Sequence, residues 1–236
     1  MRTRNRRSFF DSAAAAAASM FLPTSISDWA SDRLVFADEP RLSPAPFRIA
    51  APGSVFRYQI LDVNDAAWLH RQGLDGTEAE WIVGETDGFL VNCTLNGNPS
   101  KSFVIAGNYA NTVSEAERKK LAAIWPLQIG KTVTYSSAET TRVYTWVNEI
   151  SVLGTETLDL GNTKIDTFAV RWRQQLSDPS GALLNRDSFR RDSVTWFAPS
   201  IGWFVIKESA ERSSLGPVHK IRFQLSSYRR TMDKAT

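Results

Sequence analysis

The sequence predicts an all-β or β-dominated fold, in which a curved antiparallel sheet, a half-barrel, wraps one helix. Three observations favour this class. About ten short segments are rich in β-branched and aromatic residues, and turn signals containing Gly separate many of them. A single segment, at about 114–124, has a helix signature. The chain of 236 residues contains eight Trp, so it has enough apolar bulk for a sizeable core.

A hairpin in the C-terminal half is the element around which we expect this sheet to form. Residues 195–208 comprise two apolar strands that meet at a Pro-Ser-Ile-Gly turn. Pro199 presets φ for the turn, and Gly202 adopts a positive φ at little steric cost. Aromatic pairs flank the turn on both sides, which predicts stabilising contacts across the two strands: Trp196-Phe197 and Trp203-Phe204.

The segment before the helix predicts four shorter strands. Asp87-Gly88 and Asn96-Gly97 lie between apolar runs and indicate tight hairpin turns. Residues 63–77 have a weaker pattern and are interpreted as a loop. The predicted strands lie at 54–62, 80–85, 89–95 and 102–106.

A capping box marks the predicted helix. Ser114 is the predicted N-cap, and Glu117 follows three residues later. Pro126 disfavours a helical conformation at Trp125, so the helix is expected to end there. A strand at 132–136 follows.

The remaining chain predicts a long antiparallel meander. Phe168, Val170 and Trp172 alternate with Ala169 and two arginines, which is the period-two pattern of a half-buried strand. The last strand has the same alternation. It places four residues on one face: His219, Ile221, Phe223 and Leu225. The predicted strands lie at 142–152, 155–160, 164–176, 189–197, 202–209 and 218–228.

The N-terminus has the layout of an export signal. Four Arg without an acidic residue precede an Ala-rich apolar run, and Val35-Phe36-Ala37 is the predicted cleavage site. Cleavage near Ala18 or Ala30 is an alternative. The motif resembles a twin-arginine signal and consists of Arg6, Arg7, Phe9 and Phe10.

Cleavage at this site would make residues 1–37 the signal peptide. Residues 38–53 are then a Pro-rich linker, and residues 54–236 form a single β-rich domain. The mature protein is then periplasmic or secreted. No Cys lies directly after the apolar run, which disfavours a lipid-anchored protein. No later run reaches the ~20 apolar residues of a membrane span. A mitochondrial transit peptide and a general secretory signal are the alternatives.

The C-terminal half resembles the DUF3108-like exported bacterial proteins over roughly residues 120–210. The resemblance rests on the order of five motifs: Trp125 to Lys131, Gly154 to Thr157, Asp166 to Phe168, Trp196 to Gly202, and Lys207-Glu208. Proteins of this kind are β-rich half-barrels of the cell envelope, mostly without an assigned activity. The resemblance therefore implies location and shape more than a reaction.

Composition argues against several classes of function. A net charge of +3 gives no case for a nucleic-acid partner. Cys93 is the single cysteine, which excludes an internal disulfide and a Cys-based metal site, and two His are too few for a His-rich one. The chain contains no Walker loop, dinucleotide fingerprint or zinc-protease helix. We therefore predict no metal, no cofactor and no catalytic residue.

Four tryptophans of the C-terminal sheet are the candidate ligand-binding residues. On the concave face they would form an apolar pocket for a hydrophobic small molecule. The alternative is that they fill the core between sheet and helix. They are Trp146, Trp172, Trp196 and Trp203.

The leading hypothesis is an exported cell-envelope protein that binds a hydrophobic ligand or acts structurally, with an envelope protein as an alternative partner. An enzyme is disfavoured but open. It would be a hydrolase with His219 as base, or with paired carboxylates among Asp187, Asp192 and Glu208. A carbohydrate-binding module with exposed Trp is the third hypothesis.

Overall fold

The computed structural model confirms a β-dominated fold. It describes residues 42–71, 74, 76–87, 89–105, 107–108, 115–138, 145–161, 163–177, 190–212 and 217–231. These residues form one antiparallel sheet of eleven strands and two helices. The strands are β1 Val55–Leu61, β2 Glu78–Asp87, β3 Leu90–Leu95, β4 Asn98–Phe103, β5 Gly107–Asn108, β6 Thr132–Ala138, β7 Thr145–Asp159, β8 Lys164–Ser177, β9 Arg190–Ala198, β10 Trp203–Arg212 and β11 Val218–Arg229. The helices are α1 Ala66–Arg71 and α2 Glu115–Ala122.

Two meanders joined side by side make the sheet. The strand order is β5-β4-β3-β2-β1-β11-β10-β9-β8-β7-β6, so the first and last strands pair near its middle. Among the described residues β5 and β6 are the edges, and the sheet is open. Irregularities in four strand pairings increase the local twist and bend the sheet. The curvature therefore follows from the predicted antiparallel class together with these bulges.

One face of the sheet, here called the core face, carries the main aromatic cluster. Residues paired directly across neighbouring strands share a face, so the register assigns each side chain to one side. Tyr58 packs edge-on against Trp81 at 5.0 Å and stacks on Phe204 at 4.6 Å. Phe223 packs against Trp81 at 5.2 Å. Aromatic side chains from β1, β2, β10 and β11 thus close the join between the two meanders.

The C-terminal hairpin forms as predicted. β9 and β10 pair around the turn at 199–202, and Gly202 has a φ of +68°. Phe197 lies directly opposite Phe204. Trp203 lies opposite Ala198, and a bulge between Phe204 and Ile206 places Trp196 opposite Ile206. The expected contact between aromatic pairs is therefore made by only one pair.

Helix α2 confirms the predicted helix, although Ser114 lies outside the described residues. Leu121 and Ile124 are buried, and Trp125 packs edge-on against Phe197 at 5.6 Å. The helix and the turn after it therefore cover the core face near the C-terminal hairpin.

Residues 42–53, predicted as a linker or arm, lie against the domain. Ala45 pairs with Leu127, and the Ala50 amide donates to the Gly202 carbonyl at 3.0 Å. Ala45 and Ala50 are buried. Backbone hydrogen bonds hold this arm in place despite its irregular conformation.

Three predicted boundaries were wrong. Residues 142–152 and 155–160 were assigned to separate strands, whereas β7 is continuous through a bulge at 152–154. A bulge keeps a strand paired where the sequence resembles a break. Strand β4 begins at Asn98, directly after the Asn96-Gly97 turn, instead of at Ser102. Residues 66–71, interpreted as loop, form α1.

Several predictions fall outside the described residues. These include the export signal at 1–37, with Arg6, Arg7, Phe9 and Phe10, and the acidic residue Asp187. The division into signal peptide, linker and single domain stays a prediction. Within the described ranges, no helix has the length and apolarity that a bilayer crossing requires.

Candidate functional site

The four candidate tryptophans do not converge on one site. Trp172 lies on the core face of β8, opposite Ile150 and Ser193. Trp146 has the same alternation phase on β7 and is half-buried. Of the four, these two share a face near the β6 edge of the sheet. Their ligand-binding role stays a prediction.

The other two tryptophans lie elsewhere. Trp196 lies opposite Ala169 and Ile206, on the reverse face of the sheet, and its Nε1 donates to Glu156 Oε2 at 2.7 Å. Trp203 is fully buried and stacks on Phe56 at 5.2 Å. The sequence of β10 is equally apolar with or without the bulge. The residue pattern alone therefore could not show that these tryptophans lie apart from Trp146 and Trp172.

The carboxylates proposed for hydrolysis are held by arginines on the reverse face. Arg171 binds both carboxylate oxygens of Asp192, with Nε donating to Oδ1 at 2.9 Å. Arg222 lies 3.1 Å from Glu208 Oε1. Buried acids paired with arginines in this way are explained as structural ion pairs.

His219 lies beside Asp65, with Nδ1 and Oδ2 3.1 Å apart. The preceding Asn64 clamps the same loop to β11. Its Nδ2 donates to the Val218 carbonyl at 2.5 Å, and its Oδ1 accepts from the Lys220 amide at 2.8 Å. These contacts explain His219 as part of the attachment between the β1–α1 loop and the start of β11.

Cys93 does not have the environment of a nucleophile. It lies on β3 and is buried. Burial raises the pKa of its thiol to about 11, partly offset by a hydrogen bond with Ser100. Little thiolate is therefore present near neutral pH. Among the described residues, no three His, Cys, Asp or Glu side chains come together as metal ligands.

The core face carries a polar group of residues that sequence reasoning missed. We call it the Lys207 cluster and define it as Gln174, Arg191, Ser193, Thr195, Lys207 and Glu211. The register places these residues in adjacent rows: Gln174 is opposite Arg191, which is opposite Glu211, while Ser193 is opposite Ser209 and Thr195 is opposite Lys207. Trp172 lies opposite Ser193 and borders the cluster.

One side of the cluster is fixed by an amide network. Asn148 Oδ1 accepts from Trp172 Nε1 at 3.2 Å and from Gln174 Nε2 at 2.9 Å. An indole nitrogen only donates, so the orientation of the Asn148 amide is determined by Trp172. The Gln174 amide nitrogen is then engaged, and its Oε1 is buried without a hydrogen-bond partner among the described residues.

Two hydroxyls of β9 are also buried without partners in the described part of the chain. Ser193 is 2% exposed and Thr195 is 0% exposed, and neither hydroxyl makes a hydrogen bond there. Buried polar atoms are normally paired, and leaving one unpaired costs roughly 1–3 kcal/mol. Together with Gln174 Oε1, these two hydroxyls occupy successive rows of the core face.

Within the described ranges, Lys207 is the charged residue of the cluster for which no ion pair is found. Burial, followed by the positive charge of Arg191, lowers the pKa of its ammonium from 10.5 to about 8. Lys207 is nevertheless partly accessible to solvent, as are Ser209 and Glu211 on the same face of β10. Lys207 therefore lies deep among protein atoms but within reach of solvent.

Arg191, by contrast, has a partner. Its Nε and Nη2 donate to Glu211 Oε2 at 3.1 and 2.7 Å. The remaining charge of the cluster is therefore that of Lys207.

Sequence reasoning missed the cluster because the bulge between Phe204 and Ile206 changes the alternation phase of β10. Regular alternation from Phe204 would place Lys207 on the reverse face, whereas the bulge places it on the core face opposite Thr195. The available signal was the alternation of Ser193 and Thr195 with Val194 inside an apolar strand.

The sugar-binding alternative requires exposed, planar Trp. Of the tryptophans whose side chains the structure describes, none is exposed, and only Trp125 and Trp146 are half-buried. The described residues therefore present no exposed tryptophan to a sugar ring.

Comparison with known proteins gives no family. No protein-family model matches the chain, and no curated protein matches it. Solved structures do match. The hypothetical lipoprotein YmcC from Escherichia coli (K12) has a TM-score of 0.41 and 13% identity, over 75% of this chain and 85% of that one. A candidate lipoprotein from Parabacteroides distasonis has a TM-score of 0.39 and 10% identity, over 80% of this chain and 100% of that one. Similarity at this level carries no argument about the chain, so the DUF3108-like resemblance and the export route stay predictions.

Proposed function

We propose that this chain is an exported cell-envelope protein that binds a small molecule with an apolar body on the core face of its sheet, without catalysing a reaction. The observation that carries the proposal is the set of buried, unpartnered polar atoms beside Trp172: Gln174 Oε1, Ser193 Oγ and Thr195 Oγ1. Ligand sites combine apolar walls with a few placed polar groups, and this part of the core face has that composition.

Packing alone is a weaker explanation for these atoms. A purely structural core at this position would be more stable with Ala and Val in place of Ser193 and Thr195, because removing an unpaired buried hydroxyl removes its desolvation cost. Residues that reduce stability in this way are typical of binding sites. The neighbouring Trp172, Phe223 and Ile221 supply the apolar wall.

The export part of the proposal rests on the N-terminal sequence. The basic segment with Arg6 and Arg7, followed by an apolar Ala-rich run, is typical of a signal that is removed after translocation. The predicted cut after Ala37 precedes every strand of the sheet. Export would therefore leave the whole described domain intact.

One observation keeps a hydrolase as a second candidate. His219 and Asp65, 3.1 Å apart, have the arrangement of an oriented base. The attachment of the loop to β11 through Asn64 accounts for the same contact without chemistry. Replacing His219 with Gln should leave ligand binding unchanged if the role is structural. Loss of a measured hydrolytic activity in this variant would favour the enzyme.

Native mass spectrometry of protein purified from the exporting cell tests both parts of the proposal. We expect a mass that begins near Asp38 and an additional species with a small-molecule adduct. The double variant Ser193→Ala/Thr195→Val should lose the adduct while its melting temperature is equal or higher. The matched control, Ser200→Ala/Thr134→Val at two exposed positions, should retain the adduct.

The proposal fails in two distinct ways. Intact protein beginning at Met1 in the exporting cell would contradict export. A processed protein that has no adduct, and that binds none of the amphiphiles described below, would contradict ligand binding on the core face.

A further inference from the structure

Resting on the proposed function, we propose that Lys207 binds the anionic oxygen headgroup of the ligand, so that the ligand is a single-chain amphiphile with a carboxylate or phosphate head. Lys207 lies in the last row of the cluster. Thr195 on β9 and Phe223 on β11 lie directly across from it, and Ser193 and Ser209 occupy the next row. The register therefore places Lys207 between a hydroxyl-bearing residue on β9 and an apolar residue on β11.

The charges on this face leave Lys207 as the group that needs an anion. On β9, Arg191 already pairs with Glu211 of β10 at 2.7 Å. On β11, His219 lies beside Asp65 of the β1–α1 loop. Among the described residues, no carboxylate pairs with Lys207. The titratable groups on the core face of β1, β9, β10 and β11 include Arg191, Glu211, His219 and Tyr58, and Asp65 lies beside His219.

An anion satisfies this arrangement better than a cation or a neutral group does. The hydroxyls of Ser193 and Thr195 and the ammonium of Lys207 are all able to donate, and an oxyanion accepts several such bonds at once. Hydrogen bonds to a charged group are stronger than neutral ones, particularly where solvent is largely excluded. Gln174 Oε1 is the one acceptor and would take a hydrogen bond from a hydroxyl or amide on the same ligand.

The apolar neighbours indicate the rest of the ligand. Trp172, Ile221 and Phe223 lie beside the polar row on the core face and are buried. A small inorganic anion would contact the polar groups only, whereas an amphiphile also buries its chain against these side chains. We therefore commit to an amphiphile, and free anions are an outcome of the test.

Binding of four probes to the mature protein, measured by isothermal titration calorimetry at pH 7, tests the inference. Dodecanoate and dodecyl phosphate carry the anionic head, dodecanol carries the same chain without charge, and acetate carries the head without the chain. All are used below their critical micelle concentrations. We expect dodecanoate or dodecyl phosphate to bind at least about 10-fold more tightly than dodecanol, from the strength of charged hydrogen bonds. Acetate should bind weakly.

Three variants locate the effect. Lys207→Gln should weaken dodecanoate binding about 10-fold or more and leave dodecanol binding unchanged. Lys207→Arg keeps the charge and should rescue most of the affinity, which also controls for misfolding of the neutral variant. Lys101→Gln, at an exposed position on β4, should change nothing.

The pH dependence of dodecanoate binding distinguishes a contact with the charge of Lys207 from packing alone. Dodecanoate affinity of the wild type should fall as the pH rises above about 8, because a neutral amine no longer attracts the anion. Lys207→Arg should remove this fall, since a guanidinium stays protonated. The two head groups distinguish the source: preference for dodecanoate indicates a carboxylate ligand, and preference for dodecyl phosphate indicates a phosphate one.

The failures of the two proposals are distinguishable. Equal binding of dodecanoate and dodecanol, unaffected by Lys207→Gln, would overturn the anionic headgroup while ligand binding stands. Acetate binding as tightly as dodecanoate would overturn the amphiphile in favour of a free anion. Binding of no probe and no adduct from the cell would overturn both.

Discussion

The hydroxyl of Tyr58 on β1 donates a hydrogen bond to the backbone carbonyl of Phe204 on β10, at 2.6 Å across 146 residues of sequence. Both groups are buried. Burial raises the pKa of the Tyr58 phenol well above its usual value, so the hydroxyl keeps its proton and donates. The carbonyl lies at the bulge of β10, where the regular ladder is interrupted. This contact therefore ties the start of the domain to the irregular part of the strand that carries Lys207.

Replacing Tyr58 with Phe should lower the free energy of unfolding by about 1–3 kcal/mol, because the buried Phe204 carbonyl loses its partner. Urea denaturation followed by Trp fluorescence measures the change. Tyr228→Phe is the control, since Tyr228 is exposed and should tolerate the change. Equal stability of the two variants would show that the hydrogen bond contributes little.

Gly202→Ala should destabilise the protein and loosen the arm at residues 42–53. A Cβ at Gly202 would lie 2.5 Å from the Ala50 nitrogen, and φ is +68° there. Positive φ alone costs roughly 1–2 kcal/mol for an L-residue, and the clash adds to it. Gly130→Ala is the matched control, with a φ of +81° and no atom within 4 Å of the added carbon. A similar melting temperature for both variants would contradict close packing of the arm, and limited proteolysis reports its release.

Arg171→Met should cost roughly 3–5 kcal/mol of stability, because the buried Asp192 keeps only its longer contact with Arg173, at 3.8 Å. The double variant Arg171→Met/Asp192→Leu should lose much less than the sum of the single changes. A double-mutant cycle measured by chemical denaturation gives the coupling. Arg57→Met breaks the exposed pair with Glu80 and should change stability little. Additive losses in the cycle would show that Arg171 and Asp192 do not act as a unit.

Lys207→Met should raise stability at pH 7, the reverse of most changes at buried positions. The folded-state pKa of about 8 lies below the ordinary 10.5, so the folded protein holds this proton less tightly than the unfolded chain does. The lowered pKa of Lys207 therefore reduces the free energy of unfolding by its full amount below about pH 8, and this loss disappears as the pH rises to 10.5. It amounts to something on the order of 3 kcal/mol.

Denaturation at pH 7 and pH 10 measures this advantage of Lys207→Met over the wild type, which should shrink at the higher pH. Lys101→Met controls for the loss of an exposed charge. A constant difference between the two pH values would contradict the lowered pKa of Lys207.

Cys93 should react with iodoacetamide only after the protein unfolds. Its thiol is buried, and its pKa of about 11 leaves little thiolate at pH 8. Because it is the single cysteine of the chain, total alkylation read by mass spectrometry reports this site alone. Rapid labelling of the folded protein would contradict burial of β3, and labelling in denaturant is the positive control.

The sequence by itself determined the fold class, the helix near 115–122 and the hairpin between β9 and β10. Each depends on local signals: alternation with a period of two, a capping pattern ended by Pro126, and a turn that contains Pro199 and Gly202. The free, buried state of Cys93 was predictable in the same way, from its position within an apolar strand.

Only the tertiary structure decided which side chains share a face. Bulges at 152–154 and 204–206 each shift the alternation by one residue, and a shift of one residue moves every later side chain to the opposite face. The pairing of β8 with β9 places Trp172 opposite Ser193 and Trp196 opposite Ala169, so these two tryptophans lie on opposite faces although both strands are apolar. The Lys207 cluster unites β8, β9 and β10 through pairings that no local pattern encodes, and its lowered pKa arises from burial and from Arg191, both of which exist only in the assembled sheet.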